Sequence, residues 1–336
     1  MAGHNTTLKE LAHILGVSVS TVSKALNDSP EISESTKKRI VDLATLHNYQ
    51  PNKVAVNLKS GKTFTIGVVI PSIQNYFFAQ VLLGIEKIVA NSKYNIVISL
   101  TDESLQKEQE VIHTLTNGVV DGFIIAVAEE TQMSQNYKHL ENVLNSNKPI
   151  VMFDRVVKRI TCDKVIVDDY QTIFDATTQL IEKNRRSIAL VSTINKSSVG
   201  KSRAKGYKSA MAKHFGTFDE ALIVETEIGV IKEKVGALLK EHPDVDAIIT
   251  LDAESSLATL KVLKSNNYDI PGKIAVLGYA DDLMAANLTP ELTTIDQHGV
   301  SIGETSAKMI LNKLNNNLSE SEEILINSTI RHRETT

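Results

Sequence analysis

The chain has 336 residues, 42% of them hydrophobic, and a net charge of −4, which fits two or three domains of an ordinary water-soluble protein. No apolar run approaches the roughly 20 residues of a membrane-spanning helix, and the segment Met1–Thr7 lacks the basic-then-apolar pattern of a secretion signal, so a cytoplasmic location is expected. The single cysteine, Cys162, excludes an internal disulfide and a clustered-cysteine zinc site and reads as a small buried hydrophobe.

Charge is unevenly placed. Residues 1–62 carry eight Lys or Arg against five acids, and the rest carries 28 against 35. A basic head on an acidic body is what a chain shows when only its head meets phosphate.

Thr7-Leu8-Lys9-Glu10 reads as a capping box, and Leu8, Leu11, Ala12 and Leu15 follow with helical spacing. Gly16 ends this helix, and Ser18 can cap a second one over Val19–Leu26, with Val22, Ala25 and Leu26 inward. Asn27-Asp28-Ser29-Pro30 is a loop. Ser33 or Glu34 opens a third helix with Ile40, Leu43, Ala44 and His47 on one face, and Pro51 follows its end. This is the helix-turn-helix plan, although a generic three-helix bundle has the same periodicity. The second helix carries Ser18, Ser20, Thr21, Ser23 and Lys24, small hydroxyls and one long cation suited to a major groove. Pro51–Gly61 is too short for a stable isolated helix.

From Phe64 short apolar runs alternate with helical segments. Strands are expected at Phe64–Ile70, Asn95–Leu100, Gly122–Val127 and Pro149–Phe153. A second set is expected at Lys164–Val167, Ser187–Ser192, Leu222–Glu225, Ala247–Leu251 and Ile274–Gly278. The alternation implies two lobes, each a doubly wound parallel sheet. Ligands of such sheets bind beyond the carboxyl ends of strands. There stand the paired Phe77 and Phe78, Asp154-Arg155, Ser197, Ser198 and Arg203, Asp252, and Asp281-Asp282. Aromatic faces with carboxylates and an Arg suit a sugar, and an Arg also suits a carboxylate or phosphate. Each residue alone reads equally as a helix cap or surface charge. No GxGxxG or Walker loop, metal cluster or nucleophile–base pair is present, so no cofactor, metal or enzymatic activity is expected.

The head motifs resemble the lactose-repressor (LacI/GalR) family. They are Thr7-Leu8-Lys9-Glu10-Leu11-Ala12, Val17-Ser18-Val19-Ser20-Thr21-Val22-Ser23-Lys24-Ala25-Leu26-Asn27 and Tyr49-Gln50-Pro51-Asn52. In the body, Phe153-Asp154-Arg155, Val167-Asp168-Asp169-Tyr170, Arg203-x-x-Gly206-Tyr207 and Ile270–Val276 look like landmarks of the same family. The resemblance implies a transcriptional regulator, expected to be a repressor of carbohydrate genes, with a helix-turn-helix head (1–50), a hinge helix (51–61) and an effector-binding, dimerising core (62–336). Val19, Ser20 and Lys24 would face base edges, while Thr7, Ser18, Thr21, Ser23 and Asn27 would contact or position phosphates. Ala55, Leu58 and Lys59 would serve the hinge, with Leu58 wedged into a minor-groove base step. Val56 stands where many members carry Arg.

The resemblance also places Phe77, Phe78, Asp154, Ser197, Val199, Arg203 and Asp252 around a cleft for a small sugar, sugar acid or other sugar derivative. Ala280 stands where most members carry an effector-gripping Asp, so either Asp281 takes that role or the ligand lacks a hydroxyl there. Asp169 replaces a commoner Asn. Lobe one is expected over about 62–162 and 295–322, and lobe two over about 163–292 and 323–336. The chain ends without a heptad-bearing helix, so a homodimer on a pseudo-palindromic operator is expected.

Overall fold

The computed structural model describes residues 6–49, 61–315 and 320–336. The chain forms two compact units, Met1–Thr63 and Phe64–Thr336.

The first unit contains α1 (Leu8–Leu15), α2 (Val19–Leu26) and α3 (Glu34–Leu46). The expected capping box opens α1. The Glu10 amide donates to Thr7 Oγ1 at 3.3 Å, and the Thr7 amide donates to Glu10 Oε2 at 2.7 Å. Gly16 follows with a left-handed φ of 65°, which turns the chain tightly toward α2 at no steric cost. Ser18 and Ser33 cap the next two helices through the amides of Thr21 and Thr36. Leu11, Ala12, Val22, Ala25, Ile40 and Ala44 form the buried core. His47 does not join it. The third helix ends at Leu46, so His47 is its exposed C-cap, and Tyr49 packs against the core instead. That burial raises the Tyr49 phenol above its usual pKa.

The second unit opens with β1 (Thr65–Ile70), α4 (Tyr76–Val89), β2 (Asn95–Leu100), α5 (Leu105–Thr116), β3 (Gly122–Ile125), α6 (Glu129–Ser134) and α7 (Lys138–Asn145). Then come β4 (Ile150–Phe153), β5 (Asp163–Val167), α8 (Asp169–Glu182), β6 (Ile188–Ser192), α9 (Ser198–Phe215), β7 (Ile223–Glu225) and α10 (Ile231–Glu241). It finishes with β8 (Ala247–Thr250), α11 (Ala253–Ser265), β9 (Ala275–Gly278), α12 (Asp282–Ala286), β10 (Thr293–Asp296), α13 (Gly299–Asn315), β11 (Glu323–Ile326) and β12 (Thr329–Arg331).

These strands form two six-stranded sheets, ordered β11-β5-β4-β3-β1-β2 and β12-β10-β9-β8-β6-β7. Every pairing is parallel except β10 with β12. β3, β4, β8 and β9 are buried throughout, the signature of sheets covered on both faces. The doubly wound fold expected from the alternation is the one observed.

Lobe membership differs from the sequence reading. β5 pairs with β4 in the first sheet, Val151 opposite Asp163, and β11 pairs with β5, Ile326 opposite Val167. β10 lies in the second sheet beside β9. Lobe one thus runs through Val167 and takes back β11, while lobe two keeps β10. The misplacement has a physical cause. Parallel neighbours normally need a long crossover, usually helical, but β4 and β5 are joined by residues 154–162 without a helix. A domain change is the natural reading of such a joint. Among the described residues the chain passes between the sheets after β5, after β10 and after β11.

α13 returns to lobe one against α4. The two helices approach so closely that a Cβ on Gly84 would lie 2.1 Å from the Val300 carbonyl oxygen, and one on Gly303 would lie 2.0 Å from that of Val81. Cys162 is 5% exposed within the lobe-one core, and burial pushes its thiol up to about 11, so it is an inert packing residue.

Candidate functional site

The head presents one polar face. Val19, Ser20, Lys24 and Asn27 on or beside α2 are exposed, as are Thr7 and Ser18, while Thr21 and Ser23 are half-buried. Ser18 Oγ is a hub: it accepts from the Thr21 amide and lies 2.7 Å from Ser20 Oγ and 2.8 Å from Thr21 Oγ1. Asn27 Nδ2 donates to the Ser23 carbonyl oxygen at 2.8 Å. Val19 is 42% exposed, an apolar surface suited to a thymine methyl. Lys24 forms an ion pair with Glu31 that sequence spacing did not suggest. To reach a base it must leave that partner, a modest cost for an exposed pair. Ala55, Leu58 and Lys59 lie outside the described residues.

In the second unit a cavity of about 430 Å³ lies between the two sheets, at the carboxyl ends of their strands. Phe77, Phe78, Asp154, Ser197, Val199, Arg203, Asp252 and Asp281 all line it. Their distances in sequence close up because each follows a strand end or begins the helix after one.

Their chemical freedom differs. Ser197 Oγ donates to the Ile194 carbonyl oxygen at 2.8 Å and accepts from the Gly200 amide at 3.0 Å, so it is a saturated cap of α9. Asp252 accepts from the Ser255 amide at 2.8 Å and from the Thr193 amide at 2.8 Å. It caps α11 and pins the loop after β6. Asp281 caps α12 through the Met284 amide at 2.6 Å. Phe78 is 2% exposed and packs edge-on against Phe153, so it supports the cavity more than it faces it.

Arg203 is 4% exposed. Its Nε donates to Asp169 Oδ1 at 2.7 Å and its Nη1 to the Leu251 carbonyl oxygen at 2.6 Å, and its guanidinium lies 4.0 Å from the Tyr279 ring centre. Burial opposes its charge, but Asp169, Tyr279 and Asp154 together outweigh that and raise the guanidinium's pKa. Burial also raises the Asp169 carboxyl, against the pull of Arg203. The Asp that replaces the commoner Asn is therefore the partner of the cleft arginine.

Asp154 is the least committed group. Its side chain is 7% exposed, its backbone adopts a left-handed φ of 58°, and its nearest cation is Arg155 Nε at 4.0 Å. Among the described residues none donates a hydrogen bond to it. Burial, reinforced by Asp169, pushes its pKa up to about 6. Unfolded, it titrates near 3.9, so between pH 4 and 6 the folded state holds the extra proton and loses stability as pH rises. The accumulated cost above pH 6 is on the order of 3 kcal/mol. Asp154→Asn is expected to stabilise the body at pH 7.5 by on the order of 1–3 kcal/mol, a gain that fades below pH 4. Urea unfolding across pH reads this, and a constant difference would contradict it.

Several lining residues escaped the sequence reading. Tyr76, in lobe one, lines the cavity beside Asp281 of lobe two, and partial burial together with the nearby carboxylates of Asp281, Asp282 and Asp296 pushes its phenol up to about 12. Arg331 donates to Asp296 at 2.6 Å and Asp282 at 2.9 Å. Its strand, β12, has no local signal strong enough to be found. A bridge between lobes joins Gln132 and Ser198: Gln132 Nε2 donates to Ser198 Oγ at 2.9 Å, and the Ser198 amide donates to Gln132 Oε1 at 3.0 Å. No helix among the described residues is long and apolar enough to cross a membrane.

Residues 7–52 match the bacterial regulatory proteins of the lacI family, and residues 63–334 match the periplasmic binding proteins and sugar binding domain of the LacI family. The chain belongs to the LacI family. Catabolite control protein A of Priestia megaterium is 29% identical over 337 residues, covering 99% of both chains. The lac repressor dimer bound to operator and the anti-inducer ONPF shares the fold, with a TM-score of 0.86, 21% identity and 99% coverage of each chain. A LacI-family transcriptional regulator from Enterococcus faecium with bound ribose has a TM-score of 0.70 and 26% identity, covering 81% of this chain and 98% of its own. In this LacI-family chain the match to the sugar-binding family spans both sheets and the cavity between them, and the match to the regulatory family spans the three head helices.

Proposed function

We propose that the protein is a cytoplasmic homodimeric repressor of carbohydrate uptake or catabolism genes. It binds a pseudo-palindromic operator through its head and a small sugar or sugar derivative in the interlobe cavity. One observation carries this reading: a cavity of about 430 Å³, a size suited to small ligands, lies between two lobes of a chain that also carries a helix-turn-helix head. In this reading Val19, Ser20 and Lys24 read bases, and Leu58 enters the central base step. The lac repressor dimer on its operator and the ribose-bound regulator support the two kinds of partner.

Gln132 and Ser198 bridge the lobes, and among the described residues three chain crossings join them. A ligand seated between the lobes biases how they sit, and in a dimer that bias sets the spacing of the two heads. Coupling of this kind is reciprocal: the ligand changes operator affinity by the same factor as operator changes ligand affinity. The test is operator binding by gel shift with and without sugars that raise the melting temperature. A stabilising sugar that leaves operator affinity unchanged would overturn the reading.

Lys24→Ala is expected to weaken specific operator binding by about 10- to 100-fold and to relax base preference at one position in each half-site. Equal losses on specific and random DNA would show that Lys24 meets only phosphate.

A further inference from the structure

We infer that the effector carries no anionic group: the cleft accepts an uncharged or positively charged polyhydroxy compound and rejects sugar phosphates and sugar acids. This rests on the reading above, that the cavity holds the effector. Five carboxylates line the cavity, those of Asp154, Asp252, Asp281, Asp282 and Asp296, against three guanidiniums, those of Arg155, Arg203 and Arg331. Arg155 donates to Glu103 at 2.6 Å. Arg203 is held by Asp169 at 2.7 Å. Arg331 is held by Asp282 and Asp296. Every guanidinium that could clamp a phosphate already holds a carboxylate; among the described residues the carboxylates of Asp252 and Asp281 have no guanidinium paired to them, and Asp154 has only the distant Arg155 Nε at 4.0 Å.

The other common anion site, a helix N-terminus, is closed in most of the wall. The helices that begin at Tyr76, Ser198, Ala253 and Asp282 each have one first-turn amide already taken by a cap side chain, that of Asn75, Ser197, Asp252 or Asp281, two of them carboxylates. The remaining one, at Gly299, brings about half a positive charge. Asp296 stands just ahead of it, with Oδ1 accepting from the His298 amide at 2.8 Å. The balance stays negative between low-dielectric protein walls, where like charges repel more than in bulk water.

Asp154 sets the positive side of the argument. Its carboxyl is buried against the cavity with no hydrogen-bond donor among the described residues, and its left-handed backbone is a conformation that persists only when its surroundings impose it. A hydroxyl or an ammonium of the ligand supplies the missing donor; a phosphate or carboxylate supplies only repulsion.

The test uses the full-length protein in calorimetric titrations at pH 7.5. The panel contains ribose, glucose, cellobiose and glucosamine together with ribose 5-phosphate, glucose 6-phosphate, glucosamine 6-phosphate and gluconate. The tightest binder is expected to be neutral or amino-bearing, and its anionic counterpart weaker by about tenfold or more. In Asp154→Asn, which keeps the shape and removes the charge, that gap narrows. An anionic compound that binds as tightly as its neutral counterpart, or more tightly, overturns the inference while leaving the regulator reading intact. A panel without any binder overturns both.

Discussion

Arg203→Met is expected to cost about 3–5 kcal/mol of the body's stability, because it removes one partner of a buried ion pair and strands the other. Asp169 is 7% exposed, accepts from Arg203 at 2.7 Å, and has no second cation bonded to it among the described residues. The Leu251 carbonyl loses its donor and the Tyr279 ring loses the cation above it. Part of the loss returns if Asp169 takes up a proton, so the defect deepens as pH rises. The double variant Arg203→Met/Asp169→Leu leaves no buried charge and is expected to recover most of the stability, since a well-packed apolar pair often replaces a buried ion pair at little cost. Ligand-induced stabilisation should stay absent in both. Urea unfolding with and without sugar separates the outcomes. If both variants lose the same stability, Arg203 acts through packing and not through its charge.

Leu11→Ala is expected to abolish operator binding while leaving the sugar response of the body intact. Leu11 is fully buried among Val22, Ala25 and Ile40. A buried Leu→Ala change costs about 2–5 kcal/mol, and a three-helix unit this small holds only about that much in total. The cost therefore unfolds the head instead of weakening it. Residues 64–336 form a separate compact unit with its own cores, so the change does not reach it. Calorimetry should show the body's transition unchanged and operator affinity down more than about 100-fold. An operator loss accompanied by an equal drop in the body's melting temperature would refute this independence.

The head was the most legible part of the chain because its determinants are local. The Thr7–Glu10 box, Gly16 and Ser18 act within one helical turn, and the inward residues follow the 3.6-residue period. His47 failed because periodicity does not reveal where a helix stops; the backbone turned one residue earlier than the pattern implied. In the body the strands were legible as short apolar runs, but their sheets were not. β5 and β11 are chemically at home in either sheet, and only long-range pairing decides between them.

The same division runs through the candidate site. Residue types that follow strand ends were visible in the sequence, and the structure brings all eight into one cavity. What each is free to do was not visible. Asp252, Asp281 and Ser197 resemble ligand-binding groups in sequence but serve as caps, whereas among the described residues none donates a hydrogen bond to Asp154. Lys24 was visible as the long cation of α2, but its partner Glu31 was not.

The sequence by itself determined the family, the three helices of the head and the two α/β lobes, because short-range spacing and strand-by-strand hydropathy encode them. Only the tertiary structure decided which sheet takes β5, β10 and β11, and which carboxylates of the cleft lack a guanidinium partner. Those outcomes depend on neighbours far apart along the chain, and the pairing of a side chain is settled by the groups that folding brings within about 3 Å of it.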